Sequence, residues 1–380
     1  MAVKKLFQTT ILIGVSVVIS LLVAEGFLRL FPEFLPEQAQ LKLHWRAVIE
    51  KVRSERDPYI GFLYPPNTSD EISHGDFHFS YTTDEKGFRN SGAWPKSADI
   101  VAVGDSMVFG YGVENDQGWL ALLSAKYPDK RIVNLGLIGA SPQQYSRVYE
   151  TFGDPLKPKL LLYCLFPGND IDDARRFDDW LKAGSPGNYD VWRFFEGQTP
   201  ESTTGLRYLL GKSYLVAFLR ETLNNISVSE ELRGKTFELA DGNRVRLIPS
   251  LVAQTTERGQ PGKPAYELVM NAIEQTQALT AKSDTQLLVL LIPTKEEIYL
   301  PVFGEPSPDP IGPFAAALEE RGIAHLDMTP YFQERAKQGK QLYFELDGHP
   351  NAAGYQLMAD VVSAYLENHA EQYNLAAHNQ

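Results

Sequence analysis

With a single cysteine, Cys164, among its 380 residues, the chain cannot form an intrachain disulfide, so packing and hydrogen bonding must hold the fold together. That thiol falls inside an apolar run at 160–166 and is expected to be a buried core residue. Clustered positive charge is also missing. The formal net charge is -12, and no dense Lys/Arg patch offers the basic face that a phosphate backbone requires, which excludes nucleic acid as a partner. Histidine and cysteine never gather at ligand spacing: His74 and His78 are four apart without a companion, so no metal site is expected. There are no internal repeats or low-complexity tracts. The remainder, 43% hydrophobic and 22% charged, suits one large globular domain or one domain with an insertion.

The long apolar run stands at the start. Lys4 and Lys5 precede residues 6–30, within which 11–24 is uninterrupted by any charge. At about 1.5 Å per residue, residues 6–24 reach across a hydrocarbon core, and Glu25 and Arg29, four apart, can pair at the far interface. Only Ala24 fits a small-residue cleavage pattern, so residues 1–31 are expected to stay as a signal anchor in the cytoplasmic membrane, with everything beyond on the outer side.

Pro32 and Pro36 stop that helix. Residues 38–56, with His44, read as an amphipathic helix. Residues 57–98, dense in Pro, Gly and Asn around aromatic-rich pieces, read as a β-hairpin lead-in, so that 32–98 forms a membrane-proximal linker. From residue 99 apolar strands alternate with helices: a strand at 100–103, a helix at 119–127, a strand at 131–135, a helix at 143–152 and a strand at 160–166. This rhythm predicts parallel βαβ units. Residues 171–264 break it and are expected to be an insertion over the sheet edge, with a helical piece near 208–224. The rhythm then resumes with a helix at 265–283, a strand at 286–292, a helix at 313–321, a strand at 323–328 containing His325, and a final helix after Asn351. Residues 369–380, with His369 and His378, read as a polar tail.

The chemistry-bearing residues lie at or after the strand ends. Ser106, in Gly104-Asp105-Ser106, follows the first strand of the rhythm, at the carboxyl edge where α/β sheets bind ligands. Acyl transfer by a serine needs a base, a group to orient that base, and donors for the oxyanion. His349, fixed before a helix by Pro350 and Asn351, is the candidate base, and Asp347 its orienter. Oxyanion donors are the N–H of Ser106, the N–H of Gly139 and the side-chain amide of Asn169, with Gly136 competing with Gly139. Each piece alone has a plainer explanation: a helix cap for Ser106, a turn residue for Asn169, a surface histidine for His349.

In order, Gly104-Asp105-Ser106, Asn134-Leu135-Gly136-Leu137-Ile138-Gly139, Gly168-Asn169-Asp170 and Asp347-Gly348-His349-Pro350-Asn351 resemble the four blocks of the SGNH (GDSL-type) hydrolase superfamily. The resemblance covers residues 99–368 less the insertion. It implies a flavodoxin-like three-layer α/β/α sandwich with a mostly parallel sheet, Ser106 as nucleophile, His349 as base, Asp347 as orienter, and Gly139 and Asn169 completing the oxyanion hole without metal or cofactor. Pro167 stands where the third block usually has glycine. The Asp-x-His spacing resembles the branch with alginate O-acetyltransferase-like proteins, which implies a serine esterase or O-acyltransferase acting on a small-molecule or polysaccharide ester. A non-catalytic glycan-binding protein of the same fold and a lipase or thioesterase are the alternatives.

Overall fold

The computed structural model describes residues 2–36, 39–40, 43, 54–194, 210–227, 234–373 and 375. The helix expected over 38–56, His44 included, falls almost wholly outside these residues, as does His378. The chain divides into two compact units, 1–51 with 194–229, and 52–193 with 230–380.

In the first unit the helix Ala2–Leu30 contains, over Gln8–Leu30, the one stretch among the described residues long and apolar enough to cross a membrane. Its partner is the helix Tyr214–Ser227.

The second unit opens with a hairpin, β1 (Ser69–His74) and β2 (Phe77–Thr82), paired antiparallel. Its centre is a parallel sheet of β3 (Ile100–Gly104), β4 (Ile132–Gly136), β5 (Leu160–Leu165), β8 (Gln286–Leu291) and β9 (His325–Asp327), in the order β4-β3-β5-β8-β9. A short antiparallel hairpin, β6 (Lys235–Glu238) and β7 (Arg244–Leu247), lies between β5 and β8 in the sequence. Helices cover both faces of the five-stranded sheet, which is why β3 and β5 are buried at every position and read in the sequence as unbroken apolar runs. Side chains alternate: Ile100, Ala102, Leu160, Leu162, Cys164, Leu288 and Leu290 join the core under the helices Trp119–Lys126 and Ala352–Asn368. The intervening residues face the layer of the helices Pro142–Val148, Pro167–Lys182 and Pro264–Lys282. This is the three-layer α/β/α architecture with the flavodoxin-like strand order. From β3 the chain runs first to one side and then crosses to the other, so the carboxyl end of β3 is the topological switch point where ligands bind in such sheets.

Two segments depart from expectation. The stretch 171–264 is not one insertion over the sheet edge. Pro167–Lys182 is a regular layer helix, 194–229 groups with the N-terminal helix because Tyr214, Leu215 and Phe218 pack on Leu28, Leu35 and Ala39, and 230–264 returns to the sheet's unit. The tail is not polar as far as Leu375. Tyr373 and Leu375 are buried in the core, and His369 stacks on Tyr365 with ring centroids 4.1 Å apart, because these rings cover the end of the last helix.

Candidate active site

At the end of β3 the chain turns so tightly that a Cβ on Gly104 would lie 2.4 Å from Cγ2 of Val108. Asp105 then caps the short helix Ser106–Phe109, its Oδ1 accepting the Met107 N–H at 2.9 Å. Ser106 is left at the mouth of this turn, only 5% exposed. Its Oγ lies 2.7 Å from Nε2 of His349, and Nδ1 of the same ring lies 2.5 Å from Oδ1 of Asp347. Because a carboxylate accepts and does not donate, Nδ1 carries the proton and Nε2 is the acceptor for the serine hydroxyl. Oδ2 of Asp105 also lies 3.2 Å from Oγ, a longer and therefore weaker competitor for the single hydroxyl proton.

His349 and Asp347 sit on a loop pinned from both ends. Phe344 N–H donates to His349 O at 3.1 Å, and Oδ1 of Asn351 caps the next helix by accepting the Gly354 N–H at 3.0 Å. Oδ1 of Asp347 also accepts the His349 backbone N–H at 2.8 Å, which fixes the carboxylate beneath the ring. Two groups that sequence reasoning missed clamp the loop from outside. The buried ammonium of Lys295, following β8, donates to the carbonyls of Glu345, Leu346 and Asp347 at 3.1, 2.9 and 3.1 Å. Oδ2 of Asp76, in the β1–β2 turn, accepts the N–H groups of Leu346 and Asp347 at 2.9 and 2.7 Å. The Tyr111 ring packs against the imidazole at a centroid distance of 4.7 Å.

These neighbours set the basicity of His349. Burial alone depresses the pKa of an imidazole, but the charge and hydrogen bond of Asp347, helped by the charge of Asp105, outweigh it against the opposing charge of Lys295, and the net shift is upward. Burial draws the Lys295 ammonium below its ordinary value, with the charges of Glu296, Asp347 and Asp76 opposing. Burial, and then the charge of Asp105, push the Asp170 carboxyl well above the usual carboxylate range.

The Gly168-Asn169-Asp170 block is the first turn of the helix Pro167–Lys182, not a loop, and Pro167 takes the first helical position, where a missing N–H costs nothing. Nδ2 of Asn169 donates to Oδ2 of Asp105 at 3.0 Å and Oδ2 of Asp173 at 2.9 Å, so Asn169 joins Ser106 through a shared carboxylate. Gly136 and Gly139 are told apart by their partners. The Gly136 N–H is taken by Oδ1 of Asn134 at 2.8 Å, and a Cβ there would meet Phe109 N at 2.3 Å, so Gly136 serves close packing of its loop on the serine helix. No backbone carbonyl among the described residues accepts the Gly139 N–H. Gly139 has φ +68° and lies flat against the guanidinium of Arg193, whose Nη1 would be 1.9 Å from an added Cβ. Arg193 is held by Oδ1 of Asp190, at 3.1 Å from Nε and 2.8 Å from Nη2, and its Nη2 also donates to Ile138 O at 3.2 Å. Among the described residues no three His, Cys, Asp or Glu side chains are grouped to hold a metal ion.

The geometry therefore joins Ser106, His349 and Asp347 directly and links Asn169 to them through Asp105, while Gly139 lies in the loop after β4, whose Leu137 N–H donates to Gly104 O at 3.1 Å. No curated protein matches the sequence. Among solved structures the chain is similar to a putative lipolytic protein of the G-D-S-L family from Desulfitobacterium hafniense, at 14% identity over 70% of this chain and 97% of that one, with a TM-score of 0.36. It is also similar to TesA, at 17% identity over 71% and 98% of the two chains with a TM-score of 0.36, and to an acetyl xylan esterase, AlAXEase, at 10% identity over 70% and 99% with a TM-score of 0.35. Residues 253–380, the part of the chain that supplies Asp347 and His349, match the family model described as the SGNH hydrolase-like domain of the acetyltransferase AlgX.

Proposed function

We propose that this protein is a serine esterase or O-acyltransferase that carries an acyl group, acetyl of a carbohydrate ester above all, on Ser106. The observation that carries the reading is the single imidazole joined at one nitrogen to a serine hydroxyl and at the other to a carboxylate, 2.7 and 2.5 Å away. Nε2 of His349 takes the proton from Oγ as Oγ attacks the ester carbonyl, and Asp347 stabilises the imidazolium that forms. The N–H groups of Ser106 and Gly139 meet the negative charge that develops on the carbonyl oxygen, with Asn169 as the third donor once it releases one of its two carboxylates. Collapse expels the alcohol, which takes its proton from Nε2. Water or a sugar hydroxyl, deprotonated by the same nitrogen, then releases the acyl group. The choice of acetyl draws support from the acetyltransferase description of the family model matched over 253–380, and that of carbohydrate only from the likeness of the Asp347-Gly348-His349 spacing to the alginate O-acetyltransferase-like branch. The helix Gln8–Leu30 is the anchor in this reading, with the catalytic unit on the outer side of the cytoplasmic membrane.

The test is intact-mass detection of an acetyl adduct after brief exposure to p-nitrophenyl acetate, mapped to Ser106 and chased with water or an oligosaccharide. An adduct that persists in Ser106→Ala overturns the assignment. A series of longer p-nitrophenyl esters turned over faster than acetate overturns the acetyl preference in favour of a lipase or thioesterase.

A further inference from the structure

Glu25 is the one carboxylate of the apolar span Gln8–Leu30 and lies near its end, a costly placement unless the charge is partnered. Its partners come from a stretch 190 residues away. The Tyr214 and Leu215 N–H groups donate to it at 3.1 and 2.9 Å and the Ser213 hydroxyl at 2.7 Å, so Glu25 caps the helix Tyr214–Ser227. Arg29, one turn on, donates to Glu25 at 2.8 Å and to Lys212 O at 3.0 Å, and its guanidinium lies 5.0 Å from the centre of the Tyr214 ring.

Docked in this way, the helix Tyr214–Ser227 turns Tyr214, Leu215 and Phe218 onto Leu28, Leu35 and Ala39. It leaves Leu219 and Leu223, one turn apart, 48% and 64% exposed, with Leu210 just before the helix at 43%. Phe27, Phe31 and Phe34 gather where the apolar span ends, with ring centroids 5.0 to 6.5 Å apart, and each is 43% or more exposed. The bare leucines thus belong to an element tied to the very end of an apolar span that is itself uncovered, and exposed aromatics mark the level at which membrane interfaces collect such rings.

We propose that the helix Tyr214–Ser227 is a second membrane contact, lying in the interface of the leaflet from which the span emerges, with Leu219 and Leu223 in the acyl boundary. This rests on the reading of Gln8–Leu30 as a membrane span. Glu25 and Arg29 hold the interfacial helix to the span, so the segment that interrupts the βα rhythm becomes part of the membrane attachment.

The full chain in lipid nanodiscs tests this with an environment-sensitive fluorophore attached through Leu219→Cys, Leu223→Cys, Arg220→Cys or Leu22→Cys, the parent chain with its buried Cys164 giving the labelling background. Spin-labelled lipids at shallow and deep positions and aqueous iodide serve as quenchers. Positions 219 and 223 should be quenched by the shallow lipid label and shielded from iodide, position 220 should be open to iodide, and position 22 should respond to the deep label. If 22 responds and 219 and 223 are instead open to iodide, the proposal fails while the anchor stands. Where 22 also ignores the lipid labels, the anchor reading fails and the proposal with it. Shielding of 219 that no lipid label quenches and that grows with protein concentration means a second copy covers the face, which also overturns the proposal. Glu25→Ala should abolish the lipid quenching at 219 and leave that at 22 intact.

Discussion

Asp347→Asn is the substitution for which the geometry predicts the most detailed response. Oδ1 of Asp347 accepts two hydrogen bonds, from Nδ1 of His349 and from the His349 backbone N–H, at 2.5 and 2.8 Å. The backbone N–H demands an oxygen, so asparagine is held with its Oδ1 in place and both hydrogen bonds survive, leaving the tautomer correct. What disappears is the negative charge beside an imidazole that becomes positive as it takes the serine proton. With an effective dielectric of about 20 and charges ~4 Å apart, that attraction is on the order of 4 kcal/mol, or about 10³-fold in kcat/KM. The same loss removes the main group holding the His349 pKa above its ordinary value, against burial and Lys295. Since only the neutral imidazole accepts the proton, the acid limb of the kcat/KM profile should move to lower pH. The wild-type advantage should therefore be greatest above the wild-type pKa and shrink by up to about tenfold per pH unit below it. Profiles of both proteins with p-nitrophenyl acetate from acid to neutral pH measure this. A ratio constant across pH, or a loss under about tenfold, refutes the reasoning that Asp347 acts by charge on His349.

Lys295→Met removes the positive charge that opposes protonation of His349, so the acid limb of the same profile should shift to higher pH, and kcat should fall as the 345–347 carbonyls lose their donor. Ser106→Ala and His349→Ala should each abolish covalent turnover, with the double variant scarcely slower than either, as kinetics on a stopped-assay ester will show. Asn169→Ala should lower kcat by roughly 10² to 10³ and, by leaving two carboxylates without their amide donor, also reduce stability by about 1–3 kcal/mol in urea unfolding. Gly139→Ala combines a left-handed φ of +68° with a clash on Arg193, and should cost more than ~1 kcal/mol in the same unfolding assay.

The strands were legible because a parallel sheet covered on both faces must be written in nearly unbroken apolar residues, as at 100–104 and 160–165. Ser106, Asp347 and His349, which the structure brings together, stand out in the sequence because immediate neighbours fix their positions: a capping aspartate before the serine, a proline and an asparagine after the histidine. Asn169 reads from sequence as an oxyanion donor or a turn residue after the third strand, and its place in a helix is signalled only by Pro167 two residues earlier, the usual first residue of a helix. Lys295 opens a charged stretch, Lys295-Glu296-Glu297, that reads as a solvated helix start, and it is buried only because three carbonyls of a distant loop face it. Asp76 reads as an ordinary hairpin-turn residue, and Glu25 as one half of a pair with Arg29 at the far membrane interface. Nothing local marks a side chain whose partner lies 190 or 270 residues away.

The clamp formed by Asp76 and Lys295 on the His349 loop has a consequence for how activity arises as the chain folds. The sheet can close strand by strand through neighbouring βαβ units, but the Asp76–Asp347 contact spans 271 residues, and its loop-closure entropy falls due only after both the hairpin and the last helix are in place. Burial of the tryptophans Trp119 and Trp180 reports the earlier event, since both sit fully buried on helices that cover the sheet. On refolding from denaturant, tryptophan fluorescence should therefore recover ahead of esterase activity. Asp76→Ala should widen that lag more than it lowers the final fluorescence signal. Competence in this protein arrives as a final latch, made by a turn near the start of the catalytic unit on a loop near its end.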